Sequence, residues 1–265
     1  MRCALVVGPF VLLFSHLFLI AVLLLVPWVV GRRLIRKWGL PGALFGAGLL
    51  AFIGAELLRL GASSLTRKAF LAQVLPLPSV ESAPLLDAVI AGLAVTLATI
   101  GSLVLLYRYQ IPEQRSTRDA IVVGFGFGSG ALGLTGLLEL LMAVAALGLK
   151  DARIDDVRDL GFAPRAALKV GLRIFEWWER SPLDALLHTG EWLLYLGVVV
   201  ATSVLVAQKK WRSLGAAFVL FFGLSFAASF RPGYAWLGYG AGFGLLLAAC
   251  ALASKYWAKP ESKAL

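Results

Sequence analysis

Charged side chains are scarce in this sequence. Asp, Glu, Lys and Arg together supply 15% of the residues, whereas apolar residues supply 60%. The mean hydropathy of +0.84 is far above that of a water-soluble domain, which excludes a soluble globular fold. Cysteine is almost absent. Cys3 and Cys250 lie at opposite ends of the chain, and the topology derived below puts them near opposite membrane faces, so we expect no disulfide.

A cleavable signal peptide is not indicated either. Arg2 precedes an apolar run, but the run from Phe10 to Val30 is too long for the apolar core of a signal peptide. It ends in Gly-Arg-Arg and lacks a small-residue cleavage site. We therefore expect this run to be the first membrane span.

Seven apolar runs are each long enough to cross a bilayer as a helix. They cover about 10–30, 40–62, 85–106, 121–147, 183–207, 214–230 and 234–254. These runs take up nearly the whole length. The sequence therefore predicts an all-α, polytopic membrane helical bundle of about seven transmembrane helices, forming a single transmembrane domain over residues 1–265.

Basic residues mark alternate connections between these runs. The basic segments follow the first, third, fifth and seventh runs and contain Arg32, Arg33, Arg36 and Lys37, then Arg108, Arg115 and Arg118, then Lys209, Lys210 and Arg212, then Lys255, Lys259 and Lys263. The positive-inside rule predicts an outside N-terminus and a cytoplasmic C-terminus. The net charge of +10 thus reflects topology, and no nucleic-acid partner is expected.

The long connection before the fifth run predicts one further helix, at about 164–180. Pro164 can open it, and basic residues at helical spacing then share a face. The residues assigned to this helix are Arg165, Lys169, Arg173, Trp177 and Trp178. The pattern favours an amphipathic helix in the outer interface or a loop helix packed on the bundle, and the two are compatible.

Ionisable residues inside predicted spans are costly and are therefore candidate functional residues. Glu56 and Arg59 are three apart and can neutralise each other. Asp184, His188 and Glu191 form a stripe at spacings of four and three, which is metal-ligand geometry in principle, although a position near a span end favours an interfacial role. We assign Glu56, Arg59, Asp184 and His188 to an intramembrane polar cluster.

Glycine recurs at every second position in two of the runs. The two ladders are Gly124, Gly126, Gly128 and Gly130 in the fourth run, and Gly238, Gly240, Gly242 and Gly244 in the seventh. Overlapping small-xxx-small pairs favour close interhelical packing. A dinucleotide-binding loop is disfavoured because no strand precedes either ladder. Ser129 invites comparison with a membrane serine protease, but Phe127 replaces the first glycine of that motif.

With the spans in place, the chain from about Phe45 to Phe226 resembles the YhfC family of bacterial intramembrane metallopeptidase-like proteins, distant relatives of the CAAX-processing proteases. The matching elements, in order, are Phe45-Gly46, Phe52, Glu56 and Arg59; Gly124-Phe125-Gly126-Phe127-Gly128; and Glu179-Arg180 with Ala185 and His188. The resemblance implies a peptidase-like helical scaffold and a location in a bacterial cytoplasmic (inner) membrane.

The chain departs from that family where the family's presumed chemistry lies. The resemblance implies a paired glutamate in the third span, a histidine and a glutamate in the fourth, and late histidines. The residues at those places are Thr99 and Ile100, Phe127 and Ala131, and Phe221, Phe222 and Ser225. Of the motif histidines only His188 remains. A catalytic zinc usually needs three protein ligands and a base, so the substitutions argue against activity.

Three functions follow from these observations. The favoured one is a non-catalytic membrane protein without cofactor, a binding or structural subunit that contacts membrane lipid and other membrane protein subunits. The alternative is an active zinc-dependent intramembrane peptidase that uses His188, Glu179 and Glu191. A transporter or channel component ranks third, because Thr96, Thr99 and Ser102 share a face but no charge accompanies them.

Overall fold

A computed structural model describes residues 9–71, 83–113, 115–148, 181–208 and 211–229, together with residues 171, 172, 174, 177 and 178. All regular secondary structure in these residues is helical. The helices are α1 (Pro9–Trp38), α2 (Ala43–Leu71), α3 (Ala83–Leu105), α4 (Thr117–Gly148), α5 (Pro182–Ala207) and α6 (Trp211–Ser229). A π-helical turn, Leu106–Gln110, continues α3. The predicted all-α class is confirmed for this part of the chain.

Five segments are long and apolar enough to cross a membrane: Val11–Trp38, Ala43–Ala62, Val89–Gln110, Thr117–Gly148 and Pro182–Ala207. Each overlaps one of the first five predicted spans, although the bounds differ by up to eight residues. The apolar part of α6, Arg212–Gly223, is shorter. The predicted seventh span lies outside the described residues. By length and composition the chain is thus compatible with a multi-pass membrane protein.

The first helix is longer than its apolar run. Arg32, Arg33, Arg36 and Lys37, expected in a connection, lie instead in the last two turns of α1. Gly39 ends the helix with a φ of 64°, and the Leu40 amide donates to the Ile35 carbonyl at 3.1 Å, as in a glycine-terminated helix. Basic residues are good helix formers, so α1 continues to the glycine.

Two helices begin with the same capping arrangement. At the start of α4, the Ser116 hydroxyl donates to the Asp119 carboxylate at 2.7 Å, and the Asp119 amide donates back to Ser116 Oγ at 3.2 Å. At the start of α5, Ser181 and Asp184 repeat the pattern at 2.8 and 3.1 Å. Each pair satisfies amides that the first turn leaves without helical partners.

The chain forms two compact units. The first comprises Met1–Val26 and Leu132–Trp192. Its described core joins Ile20 of α1 and Ala143 and Ala146 of α4 to Ile174 and Trp177. Gly136 of α4 lies against Leu23 and Leu24 of α1, where a Cβ would stand 3.0 Å from Leu24 side-chain atoms. Small residues on α4 thus let α1 approach closely.

The second unit comprises Pro27–Ala131 and Leu193–Leu265. Here α3 packs against both α2 and α6. Close contacts also join α4 to α2 and to α5 at the glycines of the first ladder. These contacts are the basis of the candidate site.

Candidate functional site

The glycine ladder of α4 (Gly124, Gly126, Gly128 and Gly130) faces two different helices. Every second residue of a helix is turned by about 200°, so alternate glycines point to opposite sides. A Cβ at Gly124 would stand 2.7 Å from the Cα of Val200 on α5, and one at Gly128 would overlap the end of Leu196. This side of the ladder therefore belongs to α5.

The other side of the ladder faces α2. A Cβ at Gly126 would overlap the carbonyl group of Phe45, and one at Gly130 would overlap the ring of Phe52. The contact is reciprocal, because a Cβ at Gly48 of α2 would overlap the Val123 carbonyl of α4. At Gly48 and Gly126 the obstacle is backbone, so these two helices touch with no room for a side chain.

The order of these contacts fixes the helix directions within the second unit. Along α4, Gly126 and then Gly130 meet Phe45 and then Phe52, so α2 and α4 run parallel. Against α5 the order reverses, because Gly124 meets Val200 and Gly128 meets Leu196. The starts of α2 and α4 and the end of α5 therefore share one end of this unit.

That shared end carries the basic segments, and we call it the basic end. The α1–α2 turn, the α3–α4 connection and the start of α6 all lie there. Its described cations are Arg32, Arg33, Arg36, Lys37, Arg108, Arg115, Arg118 and Arg212. The alternation of basic segments in the sequence thus corresponds to a real clustering in space, which is the arrangement that the positive-inside rule requires.

A buried polar chain that the sequence did not reveal also lies at the basic end. The Tyr107 and Ser203 hydroxyls are 2.8 Å apart, and Ser203 Oγ donates to the Ala120 carbonyl at 2.8 Å. Because Ser203 has a single hydroxyl hydrogen, Tyr107 must donate to Ser203. These two hydrogen bonds join the π-helical turn, α5 and α4. Tyr107 and Ser203 are 96 residues apart, so no local spacing could reveal their contact.

Arg115 closes the same connection. Its Nε donates to the Pro112 carbonyl at 2.9 Å, and its Nη2 donates to the Tyr107 carbonyl. The guanidinium also lies 6.0 Å from the Tyr107 ring centre. These bonds satisfy one carbonyl of the π-helical turn, that of Tyr107, and one in the connection after it, that of Pro112. Arg115 therefore stabilises the connection between α3 and α4. The π-helical turn itself belongs to a class that is frequent at functional sites.

Packed apolar side chains occupy the fourth-span positions where the resemblance implies a histidine and a glutamate. Phe127 is 1% exposed, and its ring meets Phe52 edge to face, with centroids 5.6 Å apart. Ala131 is buried as well. At the third-span position, Thr99 is buried and its carbonyl accepts from the Ser102 hydroxyl at 2.9 Å. None of these contacts resembles a ligand set, and a zinc ion does not fit them.

Both ring nitrogens of His188 take part in hydrogen bonds. Trp192 Nε1 lies 3.1 Å from Nε2, and Glu191 Oε2 lies 3.1 Å from Nδ1. An indole N–H can only donate, so Nε2 accepts with its lone pair, and the hydrogen resides on Nδ1 and points to Glu191. Ligation of a metal would require breaking one of these bonds. Glu191 was among the candidate site residues, whereas Trp192 was not.

Asp184 and His188, which the sequence analysis assigned to one polar cluster, make different hydrogen bonds. The Asp184 carboxylate accepts from the Ser181 amide and hydroxyl and caps α5. In the first unit, therefore, Asp184 serves the helix start while His188 pairs with Glu191.

The Glu56 and Arg59 pair belongs to the second unit. Arg59 donates to Glu56 Oε2 from Nη2 at 2.6 Å and from Nε at 3.0 Å. The Arg59 side chain is 44% exposed and that of Glu56 is 29% exposed. The expected mutual neutralisation is thus seen as a close ion pair on the surface of α2.

Trp177 and Trp178, assigned to the interfacial helix, are placed against the first unit's core. Trp177 is 1% exposed and stacks on His16 with ring centres 4.4 Å apart. Trp178 Nε1 donates to the Ala146 carbonyl of α4 at 3.2 Å. For these two residues, the contacts favour packing on the bundle. The other predicted residues that lie outside the described part of the chain are Arg165, Lys169, Arg173, Glu179, Gly238, Gly240, Gly242 and Gly244.

Two further observations concern the hypotheses of a metal-dependent peptidase and of a serine protease. Among the described residues, no group of three or more His, Cys, Asp or Glu side chains could hold a metal ion. The Ser129 hydroxyl donates to the Phe125 carbonyl one turn earlier at 2.7 Å, a common bond for serine within a helix. No protein-family model, curated protein or solved structure matches the chain.

Proposed function

We propose that the chain is a non-catalytic integral membrane protein with a peptidase-like scaffold. It crosses the bacterial cytoplasmic membrane about seven times, with the N-terminus outside, and serves as a binding or structural subunit of a membrane assembly. The observation that carries this proposal is the Phe52–Phe127 pair. Its packed rings occupy the position at which the resemblance to the peptidase family implies a metal-ligating histidine.

The His188 bonds point in the same direction. An imidazole that already accepts from Trp192 and donates to Glu191 is held as a structural group. A catalytic histidine instead needs one nitrogen directed at substrate, metal or water. The glycine-lined contacts among α2, α4 and α5 add a rigid scaffold that suits a subunit role.

The test is purification from the native membrane in mild detergent, followed by identification of co-purifying chains and measurement of metal content. We expect a stoichiometric membrane partner and no stoichiometric zinc. Stoichiometric zinc that is present in the parent and lost in His188→Ala would contradict the proposal and support the peptidase alternative. A lone monomer would contradict the assembly.

We predict that His188→Gln costs little. Glutamine retains a donor and an acceptor, so the expected loss is one hydrogen bond, on the order of 1 kcal/mol. Thermal melts in detergent should show a small downward shift, with assembly retained. Trp192→Phe, which removes the donor to Nε2, is the matched control and should behave similarly. A folded, assembled His188→Gln protein that lost all function would mean that the imidazole acts chemically.

We also predict the orientation of the basic end. After replacement of Cys3 and Cys250 by serine, a cysteine at Arg36 should react with a membrane-impermeant maleimide only in opened cells. A cysteine at Asp155 should react in intact cells, since the positive-inside rule places it outside. Labelling of the Asp155 position from the cytoplasmic side alone would overturn this topology.

A further inference from the structure

The exposed side of α1 changes its chemistry within two helical turns. Trp28 and Val29 are each 52% exposed, and the exposed positions that follow at helical spacing are Arg32, Arg33, Arg36 and Lys37. Pro27 and Gly31, on the opposite side, are buried. An aromatic and apolar belt followed by cations is the pattern of a surface that passes from hydrocarbon into headgroups.

The spacing agrees with headgroup dimensions. Four residues of helix separate Trp28 from Arg32, a rise of about 6 Å at 1.5 Å per residue. The polar layer of one leaflet is about 5–8 Å deep. With Trp28 at the boundary of the hydrocarbon, Arg32 and Arg33 therefore lie at the depth of the phosphates.

Two exposed guanidinium groups at the basic end are held against aromatic rings. Arg32 lies 5.2 Å from the Trp28 ring centre, and Arg108 lies 5.5 Å from that of Tyr109. The cation–π contact limits the motion of each guanidinium group, whose planar set of N–H donors matches the geometry of a phosphate. That presentation suits the two-pronged binding of a phosphate.

The charge balance at this end is strongly positive. The exposed cations are Arg32, Arg33, Arg36, Lys37, Arg108, Arg118 and Arg212. The described carboxylates in the same connections are Glu113 and Asp119, and Asp119 is engaged with Ser116. No ion pair is recorded between these cations and another described residue. A complementary surface must therefore carry negative charge.

We propose that the basic end binds the headgroups of acidic glycerophospholipids, with Trp28, Arg32, Arg33 and Arg36 of α1 as the principal contacts. Acidic and zwitterionic lipids carry the same phosphate group, but only an acidic lipid has a net negative charge. The seven exposed cations therefore favour acidic lipid. This inference rests on the proposed membrane placement.

The experiment uses delipidated full-length protein in mild detergent, given equal amounts of phosphatidylglycerol and phosphatidylcholine, with bound lipid counted by native mass spectrometry. The parent should retain mainly phosphatidylglycerol. The variant Arg32→Gln/Arg33→Gln/Arg36→Gln should lose this preference by about five-fold per arginine removed. The control Glu56→Gln/Arg59→Gln removes an arginine away from the basic end and should keep it.

Equal retention of the two lipids by the parent, or an unchanged preference in the triple variant, would overturn the proposal. Displacement of the bound phosphatidylglycerol by inorganic phosphate at matched concentration would make the site one for free phosphate and would also overturn it. Membrane fractionation separates the two levels of inference. A protein found in membranes without lipid preference contradicts this inference alone, whereas a protein found in the soluble fraction contradicts the proposed function as well.

Discussion

Gly126→Ala should destabilise the protein more than any other single-methyl change in α4. The added Cβ would overlap the Phe45 carbonyl of α2, and a carbonyl held in a helix cannot rotate away as a side chain can. The helices must separate, and overpacking of this kind costs about 1–3 kcal/mol or more. The better helix propensity of alanine, about 1 kcal/mol, offsets part of that cost. Thermal melts in detergent should show a large downward shift and a reduced folded yield.

The clash also exists from the other side, which supplies a second test. Gly48→Ala would place a Cβ against the Val123 carbonyl and 2.8 Å from the Phe127 amide nitrogen, so its effect should be as large. Gly128→Ala should cost less, because the obstacle there is the end of the flexible Leu196 side chain. The double variant Gly48→Ala/Gly126→Ala should cost less than the sum, since both changes separate the same helices.

Matched controls lie on the same two helices. Nothing stands within 4 Å of a Cβ built on Gly46 of α2 or on Gly133 of α4. Alanine at either position should be neutral or stabilising by up to about 1 kcal/mol. If Gly126→Ala and Gly133→Ala melted alike, the α2–α4 contact would not be as close as described.

The glycine ladder shows how far spacing alone can predict packing. The small-xxx-small pairs of the first ladder predict close interhelical packing, and the structure places two helices against it, one on each side. The partners of those contacts could not be predicted. They depend on which helices the rest of the chain brings alongside α4, and no pattern within α4 encodes Phe45 or Val200.

Two departures had signals in the sequence. Ser181-Pro182-Leu183-Asp184 has the serine and acidic residue of a capping box with proline at the first helical position, so the role of Asp184 could have been predicted. The extension of α1 to Trp38 follows from arginine and lysine being good helix formers, with Gly39 as the first residue suited to end the helix. Charge had marked the end of the span, but the helix itself continues beyond it.

No sequence pattern indicated the hydrogen bonds that link Tyr107, Ser203 and Ala120. They give the second prediction with a large expected effect on stability. Ser203→Ala leaves the buried Tyr107 hydroxyl without its acceptor. Burial of an unsatisfied polar group costs about 1–3 kcal/mol. The Ala120 carbonyl is affected less, because a helical carbonyl also accepts from the amide four residues on. We expect Ser203→Ala to lower the melting temperature clearly.

Tyr107→Phe should cost less than Ser203→Ala. It removes the donating hydroxyl, while Ser203 keeps its own bond to Ala120 at 2.8 Å, so no donor is left unsatisfied. The expected loss is that of one hydrogen bond, about 1 kcal/mol.

The double variant Tyr107→Phe/Ser203→Ala removes both hydroxyls and should be no less stable than Ser203→Ala alone. Replacing both partners of a buried hydrogen bond avoids the unsatisfied group. Melting curves of the parent, the two single variants and the double variant measure this coupling. Additive losses in the cycle would show that the two hydroxyls do not bond to each other, and that the link from the π-helical turn to α5 rests on packing alone.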